Sequence, residues 1–385
     1  MEKLELIAAQ IGIPSAPIIL ADVKNDDSLI EMAQKAKVVI DCVGPFRLYG
    51  EPVVRACVTA GTDYIDICGE PEYIERIEYE YGTKAKEQGC YVASAVGFDS
   101  VPGDVGALWT ASLFIPPARC TSIETFISIR GGPSGFRGHF PTYESAVYGF
   151  ASAGELSALR KKATAARGGR VDLKIPGPRP KIDVQPQYDG RVDAWRLPFM
   201  GSDASVVRRT ATALAQAGLK AYNCAVYLTL PSRWDAAVFG FFGGVFSYLA
   251  KKEWGRKLLL AFPRLFSFGY FSHAGPSPQQ MAEASFEMRN FASGYSQGAP
   301  GVGEGAEATQ RPDLHITTRV AGPEPGYMAC SIFIVAAAVT MVEERKKLPK
   351  EGGVYTPAFL LKDTTYIDRL KARGIAFEQI TLPLD

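Results

Sequence analysis

The sequence predicts an α/β fold: a parallel sheet flanked by helices, then a second α/β (α+β) domain, then a short C-terminal return. Three observations carry this expectation. Short apolar runs at residues 38–43 (VVIDCV), 64–68 (YIDIC) and 91–96 (YVASAV) alternate with helical patterns at 51–60 and 72–88. That order describes consecutive βαβ units whose strands are buried on both faces. Each apolar run ends at glycine, in Gly44-Pro45, Gly69-Glu70 and Gly97-Phe98-Asp99. Ligands of such sheets bind beyond the carboxyl ends of the strands, so these three ends define one rim where glycine admits close backbone approach.

Length and composition narrow the function. At 385 residues the chain suits about two domains with full cores. A formal charge of +1, with no basic aromatic stripe, predicts no nucleic-acid partner. Seven scattered cysteines without a CxxC pair, and three isolated histidines (His139, His273, His315), argue for reduced thiols and against a metal site.

Taken in order, residues 2–10 read as a helix, Gly12 and the prolines from 14 to 17 as a turn, and residues 18–22 (IILAD) as a strand. Asn25 then caps a helix to about Ala36. An acidic start with no leading apolar run predicts an intracellular chain without a secretory signal. The chain thus opens inside an α/β repeat. A dinucleotide domain is expected to begin with a strand, a GxGxxG-type turn and a helix that together hold the pyrophosphate; residues 1–17 lack that pattern.

Along the rim, Val43, Gly44, Pro45 and Phe46, followed by Tyr49 and Gly50, are candidates to lie along a ribose and nicotinamide, or else form a turn before a helix. Gly69, Gly97 and Phe98 share that edge, and Glu70 either stands beside the nicotinamide or caps the next helix. Asp22, ending its run, is a candidate for the adenine side or a plain surface residue. In GFDSVPGD, Asp99 or Ser100 suits an N-cap with Pro102 in the first turn, and Asp99 and Asp104 are the candidate catalytic carboxylates.

Residues 1–112 form the first predicted domain, 113–345 the second, and 346–385 a segment returning to the first. Residues 122–130 alternate like a half-buried strand, 142–159 read as one helix before a basic run, and Ser202 or Asp203 suits the cap of a helix to Ala217. Arg208 and Arg209 either cover that helix or meet an acidic substrate group. Residues 236–250, fifteen without a charge, fall short of the roughly 20 needed to span a bilayer. With the KKEWGRK that follows and the apolar run to 272, they read as an interfacial segment, an acyl-channel wall or an oligomer contact such as a homodimer's. Residues 327–342 read as a buried helix. Strands at 284–295 and 314–320, joined by a Gly-rich loop at 298–305, extend the second sheet, and a helix at 363–373 and a strand at 375–382 close the chain.

The segments KLELIAAQIGIPSAPIILAD, VVIDCVGPFRLYGEPVVRACVTAGTDYIDICGEPE, GFDSVPGDVGA, LPFMGSDASVVRRT and GGVYTPAFLL resemble the saccharopine dehydrogenase-like oxidoreductases, near the trans-acting enoyl reductase branch. The resemblance implies a Rossmann domain, NADP or NAD as cofactor, a lipid or acyl substrate, and association with lipid droplets or membranes. It places GFDSVPGD at the domain crossover. Members of that family begin with a Gly-rich loop and an arginine-bearing strand that have no counterpart before Lys3, which predicts an incomplete first unit with exposed apolar faces and impaired cofactor binding. Three functions follow from these features: an acyl-chain reductase, a non-catalytic lipid-associated protein, or a saccharopine-type amino-acid dehydrogenase.

Overall fold

The structure is a computed structural model and describes residues 2–297 and 311–381. The Gly-rich stretch 298–305 lies outside them. The first half comprises α1 (Glu2–Gln10), α2 (Asp26–Gln34), β1 (Val38–Asp41), α3 (Phe46–Ala60), β2 (Asp63–Asp66), α4 (Pro71–Gln88), β3 (Tyr91–Ala93) and α5 (Val101–Ser112). Asn25 caps α2 as the sequence predicts, its side chain accepting from the Ser28 N–H at 3.2 Å. Gly61 and Gly89 end α3 and α4 at φ 70° and 67°, and each returns its N–H to helix carbonyls. A residue with a Cβ is strained at that left-handed turn, so these glycines set where each helix hands over to a strand.

The second half begins with β4 (Arg119–Arg130), β5 (Gly138–His139), α6 (Phe140–Ala151), α7 (Ala153–Ala166), β6 (Gln187–Asp189), β7 (Ala194–Pro198), α8 (Asp203–Gln216) and β8 (Asn223–Leu230). It continues with α9 (Arg233–Ala250), α10 (Glu253–Ala261), α11 (Pro263–Phe266), β9 (Phe271–Ser272), α12 (Pro278–Glu283), β10 (Ser285–Tyr295) and β11 (Leu314–Pro323). The tail carries α13 (Cys330–Glu343), β12 (Gly353–Val354), α14 (Pro357–Leu361), α15 (Tyr366–Lys371) and β13 (Ala376–Ile380).

Two large sheets organise these elements, beside a short parallel pair of β5 and β9. The first is four-stranded and parallel, in the order β1-β2-β3-β12. One face carries α2, α3 and α4 over a core of Leu29, Val54, Tyr64, Tyr73 and Ile77. The other face is covered by α5, α13 and α14. The second sheet runs β13-β11-β10-β4-β8-β7-β6, antiparallel except for the parallel β4–β8 pair. The two sheets share one core in which Ile65 and Ala93 meet Met288, Val320 and Phe333. The crossover helix α5 makes that union: a Cβ on Gly106 would lie 2.9 Å from Val320 Cγ2, so α5 approaches β11 closer than any larger residue permits.

Three expectations are revised. Residues 18–22 join no strand, because a strand needs a hydrogen-bonded neighbour and none of the described residues pairs with them. The single helix expected over 142–159 breaks at Ser152, whose Oγ turns back to the Gly149 carbonyl at 3.0 Å. The tail divides: Gly353-Val354 adds to the parallel sheet, whereas β13 pairs with β11 at the edge of the other one.

The run 327–342 opens with a π turn (Pro325–Ala329) and continues as α13, which buries Phe333, Ile334, Ala337 and Met341 against the shared core. Its length and apolarity suit a membrane span, but its packing is that of a core helix. Replacing the fully buried Phe333 by alanine is therefore expected to destabilise the folded protein by about 3–5 kcal/mol in denaturant unfolding. A loss below about 1 kcal/mol would mean that α13 is not part of the core.

Candidate functional site

The carboxyl ends of β1, β2 and β3 are held together by two buried acids. Asp66, the last residue of β2, accepts from the Cys68 N–H at 2.9 Å, the Ala95 N–H at 3.1 Å and the Ser94 hydroxyl at 2.8 Å. It thereby fixes the turn after β2 and the turn after β3 in one register. Asp41, the last residue of β1, accepts from the Val43 N–H at 2.8 Å. The Tyr64 hydroxyl lies 3.0 Å from both carboxylates and 3.2 Å from the Tyr73 hydroxyl. One hydroxyl proton satisfies one carboxylate, so the second contact requires a proton on the other acid. Burial supplies the reason: it pushes the Asp66 carboxyl up to about 7, with the charge of Asp41 adding to the effect.

Above this network the predicted rim residues part company. Val43 and Tyr49 are exposed, and a Cβ on Gly44 would meet nothing nearer than the Phe46 ring at 3.6 Å. Pro45 is the N-cap of α3. The rim is thus open at Val43, Gly44 and Tyr49, whereas Pro45 and Phe46 are buried. Gly50 faces inward instead: a Cβ there would lie 2.5 Å from the Tyr73 hydroxyl, so the glycine serves the packing of α3 on α4. Gly97 is pressed against Cys330 Sγ, and Phe98 packs edge-on against Phe286 in the shared core. Asp22 is exposed and bound locally, to the Lys24 N–H and the Ser28 hydroxyl.

Glu70 leaves its own helix uncapped. Its Oε1 accepts from the Phe46 N–H at 3.0 Å, at the start of α3, while Oε2 is buried without a partner. Burial raises this carboxyl above the usual carboxylate range. The first free donor of α3 is thus taken by a carboxylate, and a diphosphate has no place at that helix end. The open backbone at Val43 and Gly44 and the unpartnered Oε2 of Glu70 suit the hydroxyl and amide donors of the ribose–nicotinamide half of a dinucleotide.

The second acidic group lies at the crossover. A Cβ on Gly69 would lie 2.6 Å from Asp99 Oδ2, which puts that carboxylate against the end of β2. Asp203, at the start of α8, is fully buried against Gly103 in the first turn of α5, and neither of its oxygens has a hydrogen-bond partner. The neighbouring Ser100 and Ser202 hydroxyls meet at 2.9 Å. Burial pushes Asp99 up to about 6, and burial together with the charge of Asp99 holds Asp203 well above the carboxylate range. No cation contributes to either shift. Such a pair retains a proton near neutrality.

Asp104 is a different case. It is fully buried, and its Oδ2 accepts from the Ala358 N–H at 2.9 Å. Instead of facing the rim it anchors α14, beside a Thr210–Thr356 hydroxyl pair at 2.5 Å. Arg209 pairs with Glu78, whereas Arg208 sits on the exposed side of α8.

Sequence reasoning overlooked Asp41, Asp66 and Tyr64, and read Asp203 only as a cap. The available signal was an acid closing each of two otherwise apolar strands.

Comparison with known proteins assigns the family. A family model described as the saccharopine dehydrogenase NADP binding domain matches residues 1–92. The chain is 40% identical over 386 residues to a saccharopine dehydrogenase-like oxidoreductase of Mus musculus, an alignment covering 99% of this chain and 87% of that protein. It is 34% identical to the lipid droplet localized protein of Caenorhabditis elegans, covering 98% of this chain and 88% of that one. Identity to a Mycobacterium tuberculosis protein named as a trans-acting enoyl reductase is 28%, covering 95% and 85%.

The state of Asp66 is open to a direct check. Its folded pKa lies above the unfolded value, so its contribution is complete below about pH 4 and is lost as pH rises toward 7. Calorimetric melting from pH 4 to pH 8 is expected to show a declining Tm, with a shallower decline in D66N, whose amide mimics the protonated acid. Equal slopes would contradict the shared proton.

Proposed function

This chain belongs to the saccharopine dehydrogenase-like oxidoreductase family, and from that premise we propose that it reduces the enoyl group of a lipid or polyketide-like acyl chain with NADP(H). The observation that carries the reading is the placement of two acids at the crossover, Asp99 against the backbone of Gly69 and the fully buried Asp203 against Gly103, where burial raises both carboxyls. A nicotinamide, when bound, supplies a hydride to the β-carbon of the enoyl group. The chain's own task is then to orient the acyl group and to give a proton to its α-carbon. Asp99, which follows β3 and lies against Gly69 beyond the end of β2, is the proton donor in this reading, and solvent at the rim restores its proton. Val43, Gly44, Pro45, Phe46 and Tyr49 hold the ribose and nicotinamide, and the free oxygen of Glu70 accepts from one of their donors. The printed names of the worm and mycobacterial relatives, one for lipid droplets and one for enoyl reduction, support the substrate class. An intracellular, peripheral setting on a lipid surface accompanies it.

A saccharopine-type substrate is disfavoured by charge. The cations such a substrate would need for its carboxylates are taken up elsewhere: Arg47, in the first turn of α3, is committed to Glu72 and Glu155, and Arg209 to Glu78.

NADPH oxidation with a trans-2-enoyl thioester, followed by absorbance, tests the assignment. D99N is expected to lower kcat by about 10²–10⁴-fold, and wild-type kcat should fall as pH rises beyond about 6, where Asp99 loses its proton. D104N should lower thermal stability with little effect on kcat. A D99N enzyme turning over at the wild-type rate would overturn the proposed donor.

A further inference from the structure

The helices α9, α10 and α11 leave their apolar side chains uncovered. Of the 18 residues of α9, only Ala236, Leu249 and Ala250 are buried. Trp234 is 80% exposed, Phe241 67% and Leu265 69%, and Phe239, Tyr248, Trp254, Phe262, Phe268 and Tyr270 are exposed as well. Part of this set is contiguous, since the Phe242 ring contacts Phe241 at 5.3 Å and Phe268 of the segment after α11 at 4.3 Å, centroid to centroid. Beneath them Leu249, Ala250 and Leu259 form a small cluster with Tyr143 and Val147 of α6. So many uncovered aromatic side chains within about forty residues are rare on a water-facing protein face.

What covers it is indicated by its charge and its mix of aromatics. Residues 233–270 carry Arg233, Lys251, Lys252, Arg256, Lys257 and Arg264 against only Asp235 and Glu253. Lys257 is paired with Glu253, whereas Lys251 and Lys252 are exposed at the turn between α9 and α10. Trp and Tyr, each an apolar body with a polar tip, stand among the Phe and Leu residues. That is the composition of a segment lying in a headgroup layer, its rings among acyl chains and its cations at the phosphates. We propose that α9–α11 form a docking surface for an anionic lipid layer. The surface is fastened to the rim: the Arg47 guanidinium, in the first turn of α3, donates to the Tyr148 carbonyl of α6 at 2.7 Å. A chain docked there holds its open rim in fixed relation to the lipid from which an acyl group would come.

Lipid docking here rests on the lipid-surface setting proposed above but on no part of the hydride chemistry, and its test needs no cofactor, so its failure leaves the reduction itself standing. Purified protein would be sedimented with phosphatidylcholine vesicles, with and without a phosphatidylserine fraction. Wild type is expected to pellet with the anionic vesicles and less with the neutral ones, with added salt reducing the difference. The double variant F241S/L265S, altered only at exposed positions, should partition about a hundred-fold more weakly with an unchanged Tm. K251Q/K252Q should lose roughly ten-fold of the anionic preference alone. Equal pelleting with both vesicles would overturn the headgroup assignment. Absence from both pellets would overturn the lipid surface, as would a wild-type dimer in analytical ultracentrifugation that F241S/L265S dissociates, which would make this face the seat of a second copy.

Discussion

A carboxyl group buried without a counter-charge is costly, and Asp66 is retained at the end of β2 despite that cost. Its two oxygens collect donors from two turns, and through Tyr64 it reaches the acid that ends β1. An apolar residue here would leave the Cys68 and Ala95 N–H groups buried without acceptors, each a loss of about 1–3 kcal/mol. The open rim at Val43 and Gly44 is therefore a product of that network as well as of the strand order. The same acids keep the rim's sulfur inert: burial and the charges of Asp66, Glu70 and Asp99 hold the Cys68 thiol well above its ordinary range.

The second constraint is steric. The crossover helix α5, itself part of the first half, meets the second half closely at two glycines, Gly103 against Asp203 and Gly106 against Val320. Side chains at either position would push the two sheets apart and separate Asp99 from Asp203. Asp104, one turn into the same helix, ties the C-terminal α14 to the crossover by its bond to the Ala358 N–H. Thus the single motif GFDSVPGD supplies a rim carboxylate, a close-packing contact and a structural anchor, which explains why its two acids have different surroundings.

Much of this was legible in the residues. Apolar runs ending at glycine located β1, β2 and β3, because a doubly covered strand tolerates little else, and Asn25 marked the start of α2 through ordinary capping chemistry. The Phe-rich run at 236–250 was visible as anomalous, but its exposure depends on what the rest of the fold leaves uncovered. Residues 18–22 looked like a strand because β-branched and apolar content is necessary for one; a partner is also necessary, and sequence pattern does not report it. Asp203 escaped notice because a polar residue before a helix has a sufficient local explanation. Its actual neighbours, Asp99 and Gly103, are about 100 residues away in the chain and reach it only through the packing of α5 on α8. Gly50 was misread for the same reason, since its constraint comes from Tyr73 on another helix.

The account turns on the open backbone beyond β1 being the seat of the nicotinamide half of the cofactor. Fluorescence titration with NADPH of wild type and G44D tests that most directly, because a side chain at Gly44 meets only ordinary contacts within the fold. The account predicts saturable binding by wild type and at least a roughly ten-fold weaker affinity in G44D with an unchanged melting temperature. Equal affinities, or no binding by wild type, would contradict it.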